Sequence, residues 1–400
     1  MADIRSYLKE KEKREQNQSD YKVKIRKHRL SGVYRVLLIV FALLALAVFV
    51  MVQYRLHIYT GYDIVSSIEK SEAVGAADIR LGDNILTYSK DGAHCTDQKG
   101  NVVWNLTYEI QNIMVETCQD MSAIADYNGR NIYVQSSTKP VGEITTTMPI
   151  RSISVSATGR VATIMADTDL AWIYVYNPGD WDNPAYKGQA SMQSSGYPAA
   201  VTLSPGGDLM MVSYIYVDAG IQKTNIVFYN LGPVGGNVND RWVSSYTYSD
   251  ILVPYIHFMN NDTAFAVGDN RLMFFKGSQI PASEAEYLTD QEIKSVFYNG
   301  DYVGLVFDSE DAEYRYRMEV YNNAARKVGN YYMNIDYTDI IFNQDIFIAY
   351  NESACIIMNM DGIEKYNGGF NKSVRLIQPL KSAYKYLLVT NTSIDTIQLK

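Results

Sequence analysis

Two hydropathy regimes divide the chain. The first is an uninterrupted apolar run, VLLIVFALLALAVFVMV from Val36 to Val52, seventeen residues without a charge. Tyr34 and Arg35 precede it, and Gln53, Tyr54 and Arg55 follow. At about 1.5 Å of rise per residue, the run with its tyrosine flanks spans roughly 30 Å of hydrocarbon. Tyrosine suits the two interfaces, where an apolar ring meets a wet hydroxyl. A core helix keeps a polar stripe, and this run has none, so the pattern predicts a transmembrane helix over 36–55. The run is longer than a leader's apolar region of about 7–15 residues. The following QYRLHIYTGY offers large side chains where a signal peptidase needs alanine. An uncleaved signal anchor is therefore expected, followed by a stalk over 56–75 with one helical turn near Ile64–Glu69.

The second regime begins near Ala76 and continues to the last residue. Runs of four or five Ile, Val, Leu, Phe and Tyr are cut by Gly, Asn, Asp or Ser turns, and no 3.6-residue period survives two turns. The unit is an apolar run, a turn and a second apolar run. It recurs eight times, from Asn84, Met121, Gly159, Gly207, Asp262, Asp301, Gln344 and Tyr384, at intervals of roughly 36–56 residues. A weaker strand precedes most units, as in IMVE, RSISVS, AAVTLS, IHFMN, IKSVFY, TDIIFN and VRLIQP. A period of 40–50 residues with about four short strands each predicts an all-β fold, a β-propeller of eight blades (alternatively seven) over 76–400. A run apolar on both faces would be the inner strand of its blade, sandwiched between neighbouring blades. The last unit shows three strands, and strand material around Ala77–Leu81 is in excess. Ring closure by N-terminal residues would remove both raw edges.

Charge adds an orientation. Residues 1–35 carry eleven Lys or Arg against five acids, whereas from Leu56 onward 24 basic residues face 39 acidic ones. Positive flanks stay cytoplasmic, so 1–35 reads as a basic cytoplasmic tail and 76–400 as an acidic extracytoplasmic domain. Lys22, Lys24, Arg26, Lys27 and Arg29 are the candidates for contact with anionic lipid. A net charge near −15 beyond the helix argues against nucleic acid as a partner. The plasma membrane is the expected location.

The first unit, DGAHCTDQKGNVVW with Gly92, Asp97, Gly100 and Trp104, resembles a quinoprotein or WD40-type propeller blade. In such blades an Asp-x-x-Gly turn precedes a strand ending in Trp. The whole layout also resembles an uncharacterised family of single-pass membrane proteins of low-GC Gram-positive bacteria, with a basic tail, one helix and a propeller-like extracytoplasmic domain. The resemblance implies a bacterial plasma membrane protein and brings no catalytic residues.

Candidate chemistry is sparse. Of four histidines only His94 and His257 fall in the propeller, and alternation points His94 away from its neighbour Cys95. Three cysteines, Cys95, Cys118 and Cys355, make no disulfide framework and no metal motif. A Cys95–Cys118 bridge is open but core thiols are favoured. The acidic stretches Asp308–Glu313 and Gly179–Asn183 lack calcium-loop spacing. No cofactor, metal or catalytic constellation is expected. Two long loops, 177–199 and 231–250, supply Trp181, Tyr186, Tyr197, Arg241, Trp242 and Tyr246, an aromatic-plus-arginine set of the kind that contacts protein or glycan. The expected function is a non-enzymatic envelope scaffold binding protein or glycan. The alternatives are a transmembrane sensor acting through the tail and, less favoured, an envelope hydrolase.

Overall fold

A computed structural model describes residues 4–70, 75–168, 170–191 and 196–400, without the side chains of residues 5, 19–20, 22–29, 31, 33 and 54. It divides into two units, 1–58 and 59–400.

The first unit is one helix, Ile4–Leu56. Its stretch Tyr34–Gln53 has a mean hydropathy of 3.0 and is long and apolar enough, by length and composition, to cross a membrane. Its large apolar side chains are exposed, Phe41 at 73%. Lys22, Lys24, Arg26, Lys27 and Arg29 have their backbone in this helix, while their side chains lie outside the described residues.

The second unit is a ring of eight four-stranded antiparallel sheets, an eight-bladed β-propeller. Seven blades are simple meanders in chain order: residues 77–107, 113–145, 150–191, 197–249, 255–288, 295–333 and 339–369. The eighth combines three C-terminal strands, Val374–Pro379, Lys385–Thr390 and Ser393–Leu399, with Tyr62–Glu69 as its outermost strand. Residues 62–69 are thus a strand where a stalk with a helical turn was expected. Ala77–Leu81, expected to be in excess, is the innermost strand of the first blade.

The both-faces-apolar runs form the second strand from the axis, not the innermost one. Val161–Ala166, Thr263–Gly268 and Ile346–Tyr350 are buried at every position. The weaker strand before each run lies innermost, because its channel edge meets fewer neighbours. Apolar packing falls into eight clusters, one per seam between consecutive blades. The seam joining the eighth blade to the first is the thinnest, with five buried residues: Ile85, Leu376, Leu387, Val389 and Ile394.

Ionic contacts supplement that seam. The Asp78 carboxylate, on the first blade's inner strand and fully buried, pairs with Lys70 at 2.6 Å and Arg375 at 3.2 Å, so it ties the closing strand's end to both blades. Thr87 also donates to Asp78. A buried carboxylate is tolerated only when its partners replace water. Nearby, Ile68 of the closing strand faces Gly100, whose φ of +76° and lack of a Cβ let the strand approach.

The Asp-x-x-Gly turn is a shared device. Asp97 accepts from the backbone N–H of Lys99 and Asn101, both at 2.8 Å. Asn322 and Asn359 accept likewise from Ala324 and Arg326, and from Asp361 and Ile363. Each turn joins the third and fourth strands of its blade. Trp104 then donates its indole N–H to the Ser136 carbonyl of the next blade at 2.9 Å. The three thiols are free; Cys95 and Cys118 are not bridged.

Candidate functional site

Both long segments expected as loops contain the outermost strand of a blade. The first holds Tyr186–Ser191 of the third blade; residues 192–195 lie outside the described set. The second makes two short 3₁₀ turns, Gly235–Asn237 and Asn239–Arg241, then enters Trp242–Ser249 of the fourth blade. Asp240 and Arg241 both adopt left-handed backbone, φ 54° and 60°, a conformation that costs about 1–2 kcal/mol per residue outside glycine. Arg241 offsets part of this by donating to the carbonyls of Leu231 at 3.0 Å and Gly232 at 3.4 Å.

These segments bound a groove of about 620 Å³ between the third and fourth blades. One wall is the outer half of the third blade, where Trp172 pairs with Gln189, and Tyr186 and Lys187 lie alongside. The other wall comes from the long strands Leu209–Asp218 and Ile221–Asn230, with Tyr214 opposite Asn225 and Tyr229 opposite Trp242. Tyr216 and Asp240 complete the rim. At the base, the Tyr214 and Tyr229 hydroxyls share a hydrogen bond of 2.7 Å. The Tyr186 ring leans on Tyr229 at 5.8 Å between centroids, and its hydroxyl donates to the Asp240 carbonyl at 3.3 Å. Burial raises the pKa of Tyr186, Tyr214 and Tyr229 well above the usual phenol value. All three therefore remain neutral hydroxyls at any physiological pH. Trp242 is 44% exposed and offers an open ring face.

Of the six residues singled out from sequence, Tyr186 and Trp242 line the groove, and Arg241 braces the turn beside it. The other three pack elsewhere. Trp181 lies against Gly142 of the second blade's outer strand and joins the seam between the second and third blades. Tyr197 packs in the seam beneath the groove. Tyr246 donates to the Pro281 carbonyl at 2.9 Å and packs on Phe275 of the fifth blade. Trp172, Tyr214, Tyr216, Asn225 and Tyr229 were missed. Their aromatic alternation in LAWIYVY and LMMVSYIYVD reads as strand core, and only the two ten-residue strands, longer than the rest, mark the place. Among the described residues, no group of three His, Cys, Asp or Glu side chains could hold a metal ion.

Among solved structures, Sqt1 from Chaetomium thermophilum aligns at a TM-score of 0.54 and 10% identity, covering 85% of this chain and 100% of that one. BamB from Moraxella catarrhalis aligns at 0.47 and 12% identity, covering 85% and 100%. At such identities the likeness concerns the fold alone. No curated protein matches. The profile of DUF5711, described as a family of unknown function, matches residues 55–399, so the propeller and its closing strand belong together as one family domain. This chain is a member of the DUF5711 family.

Proposed function

We propose that this protein is a single-pass plasma membrane protein of a Gram-positive bacterium, with its N-terminus cytoplasmic. Its propeller lies outside the cell and binds an envelope glycan through the groove between the third and fourth blades. The groove carries the proposal. Sugar rings present apolar faces that stack on aromatic side chains and a rim of hydroxyls that needs donors and acceptors. Trp172, Tyr186, Tyr216 and Trp242 supply the first, and Gln189, Asn225 and Lys187 the second. A folded protein partner needs about 800 Å² per side, whereas this site is a narrow cleft of ligand size. The charge split across the apolar helix, eleven basic to five acidic residues before it and 24 to 39 after it, supports the orientation.

The test is retention of purified full-length protein on immobilised envelope polysaccharide. Trp242→Ala is expected to weaken retention at least tenfold with the melting temperature unchanged. Undiminished retention by that variant sinks the groove as the site; retention only by protein fractions sinks the glycan.

A second reading, a transmembrane sensor, draws on the unbroken helix Ile4–Leu56, which runs from the basic tail through the apolar stretch. Exchanging residues 1–30 for an unrelated basic sequence should then abolish function. A harmless exchange removes that reading and leaves the tail as a topology signal.

A further inference from the structure

The inner strands enclose two cavities on the ring axis, about 200 and 630 Å³, which share Thr117, Tyr298 and Asn299 as a partition. The smaller is lined by the second to sixth blades and contains the carboxyl of Glu116. Glu116 finds no hydrogen-bond or ion-pair partner among the described residues, although it sits in the middle of the propeller. Tyr298 and His257 line the same cavity and form, with Tyr255, a stack of rings. The His257 and Tyr298 centroids are 4.5 Å apart, those of Tyr255 and His257 4.7 Å. The Tyr298 hydroxyl and His257 Nδ1 are hydrogen-bonded at 2.8 Å.

The charge states around Glu116 follow from burial. His257 is held down to about 4 by desolvation and is neutral at physiological pH. The Cys118 thiol and the Tyr255 and Tyr298 phenols are pushed up by the same cause and stay protonated. Arg375, on the wall of the larger cavity, is engaged by Asp78, and Arg80 donates to the Gly82 carbonyl. Asp339, also there, accepts from the Ile340 N–H and the Tyr350 hydroxyl. Glu116 therefore has no cation of its own. A carboxylate without a counter-ion, in a cavity whose wall also includes the His257 and Tyr298 rings, is complementary to a compact organic cation: the carboxylate takes N–H donors and the neighbouring aromatic wall suits the positive charge. The acidic balance of residues 56–400, 24 basic to 39 acidic, raises the local concentration of cations. A metal ion would need several further oxygen ligands.

We infer that the propeller channel is a binding site for a small organic ammonium ion, held by Glu116 beside the His257 and Tyr298 rings. The cavity, about 200 Å³, admits only a small ligand. The site is independent of the groove between the third and fourth blades.

The experiment titrates full-length protein in non-ionic detergent, in amine-free phosphate buffer, with propylammonium and separately with propan-1-ol, by calorimetry. Propylammonium is expected to bind saturably at pH 8.5 with a dissociation constant of about 1 mM. Burial raises Glu116 to about 7, so at pH 5.5 only about 3% stays ionised and affinity should fall roughly thirtyfold. Glu116→Gln should abolish the binding, and Trp242→Ala should leave it intact. No binding at pH 8.5, equal binding of propan-1-ol, or undiminished binding by folded Glu116→Gln overturns the inference. Should Glu116→Gln fail to fold, the pH arm on the native chain decides: affinity indifferent to pH overturns it.

Discussion

Trp181 and Trp242 stand in neighbouring segments of similar composition and yet have opposite surroundings. Trp181 covers Gly142, where a Cβ would overlap the indole, whereas Trp242 is 44% exposed beside Tyr229. Trp181→Ala should therefore cost about 2–3 kcal/mol, the lower range for a partly buried tryptophan. Trp242→Ala should leave stability within about 0.5 kcal/mol; thermal melts of both variants check this. Glu116 and His257 pull the pH dependence of stability in opposite directions. The carboxyl, raised to about 7, favours the folded state below its unfolded pKa and loses that contribution as pH rises towards 7. The imidazole, lowered to about 4, loses its contribution as pH falls from 6.5 towards 4. Glu116→Gln should thus melt higher than the native chain at pH 8, and the two should converge below pH 5. A constant offset across that range would mean that Glu116 is ionised as easily as a surface carboxyl.

Strands legible from sequence are those buried on both faces, because a run such as VATIMA leaves no polar residue to blur it. Eight such runs at regular spacing disclose the ring. The closing strand YDIVSSIE is hidden for the converse reason: it is outermost, six of its eight residues are exposed, and its partners lie more than 320 positions away. Its polar alternation suits a stalk as well as an edge. The groove was half legible: Tyr186 and Trp242 stood out by composition, but the Tyr214–Tyr229 wall emerges only when two blades meet. Deleting residues 59–70 should strip the eighth blade of its outer strand and expose the Ser393–Leu399 edge. Expected are loss of the cooperative melt or self-association through that edge, readable by light scattering. Asp78→Ala, which strands Lys70 and Arg375 in the same seam, should cost about 3–5 kcal/mol. A denaturant midpoint equal to the native one would show that apolar packing alone holds the ring shut.

The molecule as a whole separates its chemistry by position. The seam between the third and fourth blades, with fourteen buried apolar residues, is the largest, and it carries the groove, so a rigid base supports the aromatic walls. The seam at the ring's join is the thinnest and relies on Asp78. That asymmetry makes the join the place where the ring should open first. Native-state hydrogen exchange should find Tyr62–Glu69 and Ser393–Leu399 the least protected strands, and Leu209–Asp218 among the most protected.

The pairing of residues 62–69 with 393–399 also sets a timetable. A ribosome makes the first of these strands minutes or seconds before the second in every chain, and the earlier one has no partner until the later one emerges. Bringing together ends about 330 residues apart costs on the order of 5 kcal/mol in chain entropy, met only when seven finished blades hold them close. A message cut short anywhere before codon 393 would yield a product with two open edges, an obvious target for proteases. Completion of synthesis thus becomes a condition of survival, enforced by geometry alone.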